Sequence, residues 1–263
     1  MLEESLRTKL ADLPIPEIHF FETIGSTNDE ALAWSETGAA DGCLVVADTQ
    51  TKGRGRLDRQ WITRPGAGLA FSLILRPKPE ESSHLFLFSP LGGLALCQAL
   101  TKGWGLTAQI KWPNDVLLDR QKVAGILVEL SWSGEIPQSI ILGIGVNVAP
   151  EAVPAPAEVM FPATSVEQAY GRPVDRFDLL HDLLEALFEW RINLTSARFF
   201  KAWEDCLAFR GDWVRVDQSG QAPITGQILG IKENGNLRLL TMTGQEINVN
   251  AGDVHLRPAE DNQ

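Results

Sequence analysis

The spacing of apolar residues changes period several times along the chain, and each change marks a structural element. Short runs rich in Val, Ile, Leu and Phe, bounded by Gly, Pro, Asn and Asp, predict strands at 44–47, 69–75, 109–112, 116–118, 123–131 and 139–148. Helical spacing is clear at Leu180, Leu183, Leu184, Leu187 and Phe188, and extends the prediction to helices over 89–100 and 197–207. Thr27-Asn28-Asp29-Glu30 reads as a capping box before Ala31, Leu32 and Trp34, so another helix is expected to start at Ser26-Thr27-Asn28. Short strands mixed with separate helices imply an α+β layer fold: a mixed sheet with helices packed on it.

Prolines at 150, 154, 156 and 162 make the next stretch an extended connector that cannot be helical throughout. A boundary is expected at Arg210-Gly211, dividing the chain into domains 1–209 and 210–263. Beyond it Val214 and Val216 alternate with polar residues, and further short strands are expected at 227–231, 237–240 and 246–249. With turn pairs at Asn234-Gly235 and Thr243-Gly244, this pattern describes a small β-barrel. Alone, such a barrel would as readily be a generic interaction module.

Two segments bring cations onto backbone shaped for close approach to anions. In Gly53-Arg54-Gly55-Arg56, running on to Trp61, the glycines admit unusual backbone angles and the guanidinium forks suit phosphate or carboxylate oxygens. In Lys111-Trp112-Pro113-Asn114-Asp115, Pro113 holds Trp112 extended, and Asn114-Asp115 is a turn pair that reverses the chain beside Lys111. Lys122 opens an apolar strand with Gly125 inside it, which reads either as a ligand-facing strand or as a buried strand with a snorkelling lysine. Gly143-Ile144-Gly145 lacks the spacing and following helix of a dinucleotide fingerprint and reads as a strand with close backbone packing.

Taken in order, these stretches resemble the biotin protein ligase family. Ser26-Thr27-Asn28 is similar to that family's early biotin-contacting triplet, and Gln50 to Arg56 to its glutamine and adenylate-binding loop. Lys111 to Asp115 resembles its KWPND segment, Lys122 to Leu127 its biotin-pocket lysine and strand, and Gly145-Val146-Asn147 its later GIN-type turn. The resemblance implies a class II synthetase-like core followed by an SH3-like barrel. It also implies an enzyme that uses ATP and Mg2+ to make biotinyl-adenylate, then passes biotin to a lysine of a biotin carboxyl carrier protein of acetyl-CoA carboxylase. Arg54, Lys111, Asp115 and Lys122 would then be catalytic. Ser26, Thr27, Asn28, Gln50, Gly53, Arg54, Arg56, Lys122, Gly125 and Leu127 would bind biotin. Arg54, Gly55, Arg56, Trp61, Lys111, Asn114 and Asn147 would bind ATP or the adenylate. Where the family's loop often continues Arg-Gly-Arg, this chain reads Leu57-Asp58-Arg59, which loses one positive charge and adds a negative one.

Charge narrows the choice of partners. The 263 residues carry a net charge of -11, which disfavours a nucleic-acid partner and points the loop arginines at one small anion. Only about eighteen residues precede the resemblance, which begins at about Phe20, too few for a helix-turn-helix domain. Three widely spaced cysteines, Cys43, Cys97 and Cys206, are expected to be free thiols of a reducing, cytoplasmic compartment. The four histidines have no metal-ligand spacing, so no protein-bound metal is expected. Neither a signal peptide nor a membrane span is expected, and the oligomeric state stays open between monomer and homodimer.

Overall fold

The computed structural model describes residues 2–57, 59–159, 161–218, 222–250 and 254–258. After α1 (Leu2–Lys9), the elements are β1 (Ile18–Ile24), α2 (Thr27–Glu36), β2 (Leu44–Gln50), β3 (Gly68–Leu75) and α3 (Phe88–Trp104). Two hairpins follow, β4 (Ala108–Lys111) with β5 (Asp115–Leu118) and β6 (Gln121–Ser133) with β7 (Ile136–Asn147). Then come α4 (Val166–Tyr170), α5 (Arg176–Arg191) and α6 (Ala197–Asp205). The chain ends its described course in β8 (Trp213–Gln218), β9 (Ile224–Ile231), β10 (Leu237–Leu240), β11 (Glu246–Val249) and β12 (Val254–Pro258). The proline-rich connector contains two short 3-10 turns, Pro150–Ala152 and Pro156–Glu158.

The first seven strands form one mixed sheet in the order β1-β2-β3-β7-β6-β5-β4, parallel only between β1 and β2. Its two faces follow from alternation along each strand. Leu44, Val46, Leu73, Leu75, Ile140 and Leu142 join the main core, whereas Val45, Ile74 and Ile141 pack with Ala31 of α2 in a second, smaller cluster. α3 packs against both the sheet and α5. The segment Leu85–Trp104 is long and apolar enough by length and composition to cross a membrane, yet it is a core helix, with 67% of its most apolar stretch buried. Gly105, in the left-handed conformation, ends α3, and the Asp175 carboxylate caps α5 by accepting from the amides of Phe177 and Asp178.

The last five strands form a separate antiparallel sheet, β11-β10-β9-β8-β12. Val214 and Val216 alternate inward as expected, and β12 is a strand that the pattern did not signal. This sheet docks on the first through buried groups. Trp112 Nε1 donates to the Gly235 carbonyl at 3.1 Å, and the Gly235 position leaves no room for a Cβ beside Phe86.

Candidate active site

Register across the large sheet produces a depression. Ser72 of β3 pairs with Gly143 of β7, which pairs with Leu127 of β6; in the next row Ala70, Gly145, Gly125 and Asp115 line up across four strands. These rows lie on the α2 face, where small residues leave space that α2 does not cover. The glycines read from sequence as close packing serve this purpose. A Cβ added at Gly145 would overlap the Trp61 indole, and one at Gly143 would overlap the Asn28 amide. The resulting cleft has Asp115 as its one acidic lining residue among the described residues.

One end of the cleft is built by the start of α2. Ser26, not Thr27, is the N-cap, and it makes no side-chain cap bond. The capping box read from sequence is therefore absent, because the Thr27 hydroxyl donates instead to Gln50 Oε1 at 3.1 Å and lies 2.8 Å from Ser72 Oγ. Gln50 Oε1 also accepts the Thr27 backbone N–H at 2.8 Å, which fixes the glutamine amide at the helix N-terminus. Ser26, Thr27, Asn28 and Gln50 all line the cleft. The Ser26 hydroxyl makes no hydrogen bond among the described residues, so a donor and acceptor remain available there.

The other end is a charge cluster on the β4–β5 hairpin. The Trp112–Pro113 peptide is cis, and the turn pairs Lys111 with Asp115. Asp115 lies between two ammonium groups, Lys122 Nζ at 2.6 Å and Lys111 Nζ at 3.1 Å. Burial alone would push its carboxyl up, but the two lysines more than offset this and hold it at about 2. Burial also pushes the Lys111 ammonium below its usual range, against the opposing pull of Asp115. Lys111 lies 4.8 Å over the Phe161 ring and Lys122 5.7 Å over Trp61, so aromatic faces and one carboxylate confine both cations.

The glycine-arginine loop folds across the cleft as a flap. Trp61 N–H donates to the Gly53 carbonyl and Gly55 N–H to the Arg59 carbonyl, while Arg56 Nη1 reaches Asn114 Oδ1 at 3.2 Å. Asn114 Nδ2 in turn donates to the Ile126 carbonyl, tying the flap's partner to β6. Leu57 sits at φ +58, and Asp58 lies outside the described residues. Arg54 turns to carboxylates, with Nη2 at 2.6 Å from both Asp29 Oδ1 and Glu129 Oε2.

Of the residues singled out from sequence, Ser26, Thr27, Asn28, Gln50, Arg54, Gly55, Arg56, Trp61, Lys111, Asn114, Asp115, Lys122, Gly125 and Leu127 line this one cleft. Gly53 and Asn147 do not. Gly53 packs against the Trp61 carbonyl, and Asn147 is buried at the end of β7, donating to the Thr164 carbonyl at 3.1 Å. Sequence reasoning missed Ser72, Phe161, Leu256 and Arg257. The last three line the cleft, and Leu256 and Arg257 come from β12 of the second sheet. Only three-dimensional pairing brings them there. All three cysteines are free, and among the described residues no group of three or more His, Cys, Asp or Glu is placed to hold a metal.

A cleft with a polar end, a two-lysine end and an arginine flap suits activation of a carboxylate by a nucleotide. Residues 20–147 match the Biotin/lipoate A/B protein ligase family, and residues 212–257 match the biotin protein ligase C terminal domain, so the class is a biotin/lipoate-type ligase. The chain is 37% identical over 229 residues to the biotin--[acetyl-CoA-carboxylase] ligase of Paracoccus denitrificans, covering 84% of this chain and 93% of that protein. It is 34% identical over 231 residues to the bifunctional ligase/repressor BirA of Bacillus subtilis, covering 86% of this chain and 70% of that one. The biotin protein ligase of Aquifex aeolicus in complex with biotin and ATP superposes with a TM-score of 0.79 at 31% identity, covering 93% of this chain and 100% of that chain. The chain belongs to the biotin protein ligase family, and it is an enzyme, a ligase.

Proposed function

We propose that this protein converts biotin and ATP to biotinyl-5'-adenylate and then transfers the biotinyl group to one lysine of a biotin carboxyl carrier protein of acetyl-CoA carboxylase. The observation that carries this reading is the pair of lysines held on Asp115 at one end of a cleft whose other end presents Ser26, Thr27 and Gln50. Paired donors and acceptors at that end match a ureido ring, and the two lysines at the other end suit the acid tail of biotin.

In the first step a biotin carboxylate oxygen attacks the α-phosphorus of ATP, and the bond to pyrophosphate breaks. Two anions meet, and negative charge gathers on the phosphate oxygens, so preorganised cations are what the step requires. Lys122 orients the biotin carboxylate, Lys111 stabilises the phosphate in transit, and Arg56 holds the adenylate under the flap. Gly55, Trp61 and Asn114 complete the nucleotide side; Gly125 and Leu127 form the floor under biotin. Magnesium would accompany the phosphates of ATP and neutralise part of their charge. Among the described residues Asp115 is the single cleft carboxylate and is already held by two lysines, so no protein ligand for the ion is assigned.

In the second step the acceptor amine attacks the acyl carbon, AMP departs and the amine loses a proton. With its carboxyl at about 2, Asp115 is a poor proton acceptor. It instead keeps a negative charge that fixes the two ammonium groups and orients an incoming amine. The flap excludes water from the reactive anhydride. The protein is further proposed to divide at 209/210, to carry an SH3-like C-terminal module, to act in the cytoplasm and to have no repressor role.

The test is the intact mass of a carrier domain incubated with the protein, biotin, ATP and magnesium, beside a carrier whose acceptor lysine is replaced. One biotinyl increment, absent from the replaced carrier, is expected. Lipoate in place of biotin should give none. An increment only with lipoate overturns the proposed substrate.

A further inference from the structure

Glu129 is absent from the motifs that identify the site and does not line the cleft, yet it joins two of the site's elements, the start of α2 and the arginine flap. On β6 it pairs with Ile141, one row beyond the Leu127-Gly143 row of the floor, where α2 begins to cover the sheet. A single oxygen, Oε2, accepts from Arg54 Nη2 at 2.6 Å and from Asn28 Nδ2 at 2.7 Å. The Asn28 Oδ1 lies 2.5 Å from Ser72 Oγ, Ser72 Oγ lies 2.8 Å from Thr27 Oγ1, and Thr27 holds Gln50. With the Ser72 proton on Asn28 Oδ1, the path from the polar end of the cleft to an arginine of the flap is continuous when the Thr27 hydroxyl turns from Gln50 to Ser72 Oγ, Gln50 Oε1 then being held by the Thr27 backbone N–H at 2.8 Å. Arg54 is spent on carboxylates at its tip, which suits an anchor better than a phosphate ligand.

We propose that Glu129 is a positioning residue that couples occupation of the polar end of the cleft to closure of the 53–61 flap, by holding Asn28 and Arg54 on one carboxylate oxygen. This rests on the biotin-adenylation reading. A ligand that hydrogen-bonds Ser26, Thr27 or Gln50 fixes the direction of the Thr27 and Ser72 hydroxyls and so of the Asn28 amide. That orders the Glu129 carboxylate, and with it Arg54 and the flap. Charge-assisted hydrogen bonds in series have the strength for such coupling.

The experiment compares the full-length protein with Glu129→Gln and Glu129→Asp. Two quantities are read: the retention time of biotinyl-adenylate after a chase, and the rate of tryptic cleavage at Arg54, Arg56 and Arg59 with and without biotin. In the parent protein biotin should slow cleavage. In Glu129→Gln that protection should vanish and the intermediate should escape about ten to a hundred times faster, with Glu129→Asp recovering part of both. Arg54→Ala should give the same escape, and the double variant no more than either. Protection and retention unchanged in Glu129→Gln, or effects of the two substitutions that multiply, overturn the inference. If Glu129→Gln fails to fold, Glu129→Asp and Arg54→Lys decide the same question, and normal protection in both overturns it. A parent protein that releases no pyrophosphate with biotin overturns the functional reading and the inference together; parent turnover with an indifferent Glu129→Gln overturns the inference alone.

Discussion

The two faces of the seven-stranded sheet share the same strands and serve opposite ends. On one face Leu73, Leu75, Ile140 and Leu142 are fully buried beneath the main core. On the other, the residues an odd number of steps along the same strands are Ser72, Gly143 and Gly145, which support a cleft. Side-chain volume is the difference. Apolar bulk on one face supplies the free energy that holds the strands in register, and the missing bulk on the other makes room for a ligand. A strand can be both scaffold and site because its side chains alternate.

The largest effect expected on the open face comes from Lys111→Ala. Biotin-dependent pyrophosphate exchange should fall about a thousandfold, while biotin binding measured by calorimetry changes only several-fold. A pure loss of biotin affinity would remove Lys111 from the phosphate. On the closed face, Leu142→Ala should lower stability by about 3 kcal/mol in urea unfolding, with exchange per folded molecule preserved. Equal damage to activity would mean that the two faces are not separable. Gly145→Val then inverts the contrast. The strand backbone accepts valine, but its side chain displaces Trp61, so biotin affinity should drop about a hundredfold with the melting temperature nearly unchanged.

The smallest effect is one of pH. Asp115 has a carboxyl lowered from an ordinary 3.8 to about 2, so it stabilises the fold fully above the unfolded value and loses that contribution as pH falls through about 2. The stability gap between the parent and Asp115→Asn should therefore be on the order of 2 kcal/mol near pH 6 and shrink between pH 4 and pH 2. A gap that is flat with pH would show that packing, not charge, is what Asp115 provides.

Much of the closed face is legible in sequence, because strand and helix periods are local signals: six strands and the helices at α3, α5 and α6 fall where the pattern puts them. α1 went unread because a short charged segment reveals its core contact only through Leu6 and Leu10. The cation motifs were also legible, since Lys111 and Asp115 sit on one tight hairpin. The strand order was not, and neither were the rows that place Ser72, Gly143 and Leu127 side by side, because nothing along the chain states which strand a given strand will pair with. For the same reason Glu129 passed as one more strand residue, and Leu256 and Arg257 carried no sign of the cleft they line.

That last pair has a consequence for the timing of synthesis. Chains leave the ribosome from the N-terminus, so β12 is the last of the described strands to emerge. Until residues 256 and 257 emerge and β12 pairs with β8, the cleft has its cations but lacks a wall. A nascent chain thus holds the parts that would form a reactive acyl anhydride before it holds all the parts that would shelter one, and translation through β12 completes the chamber.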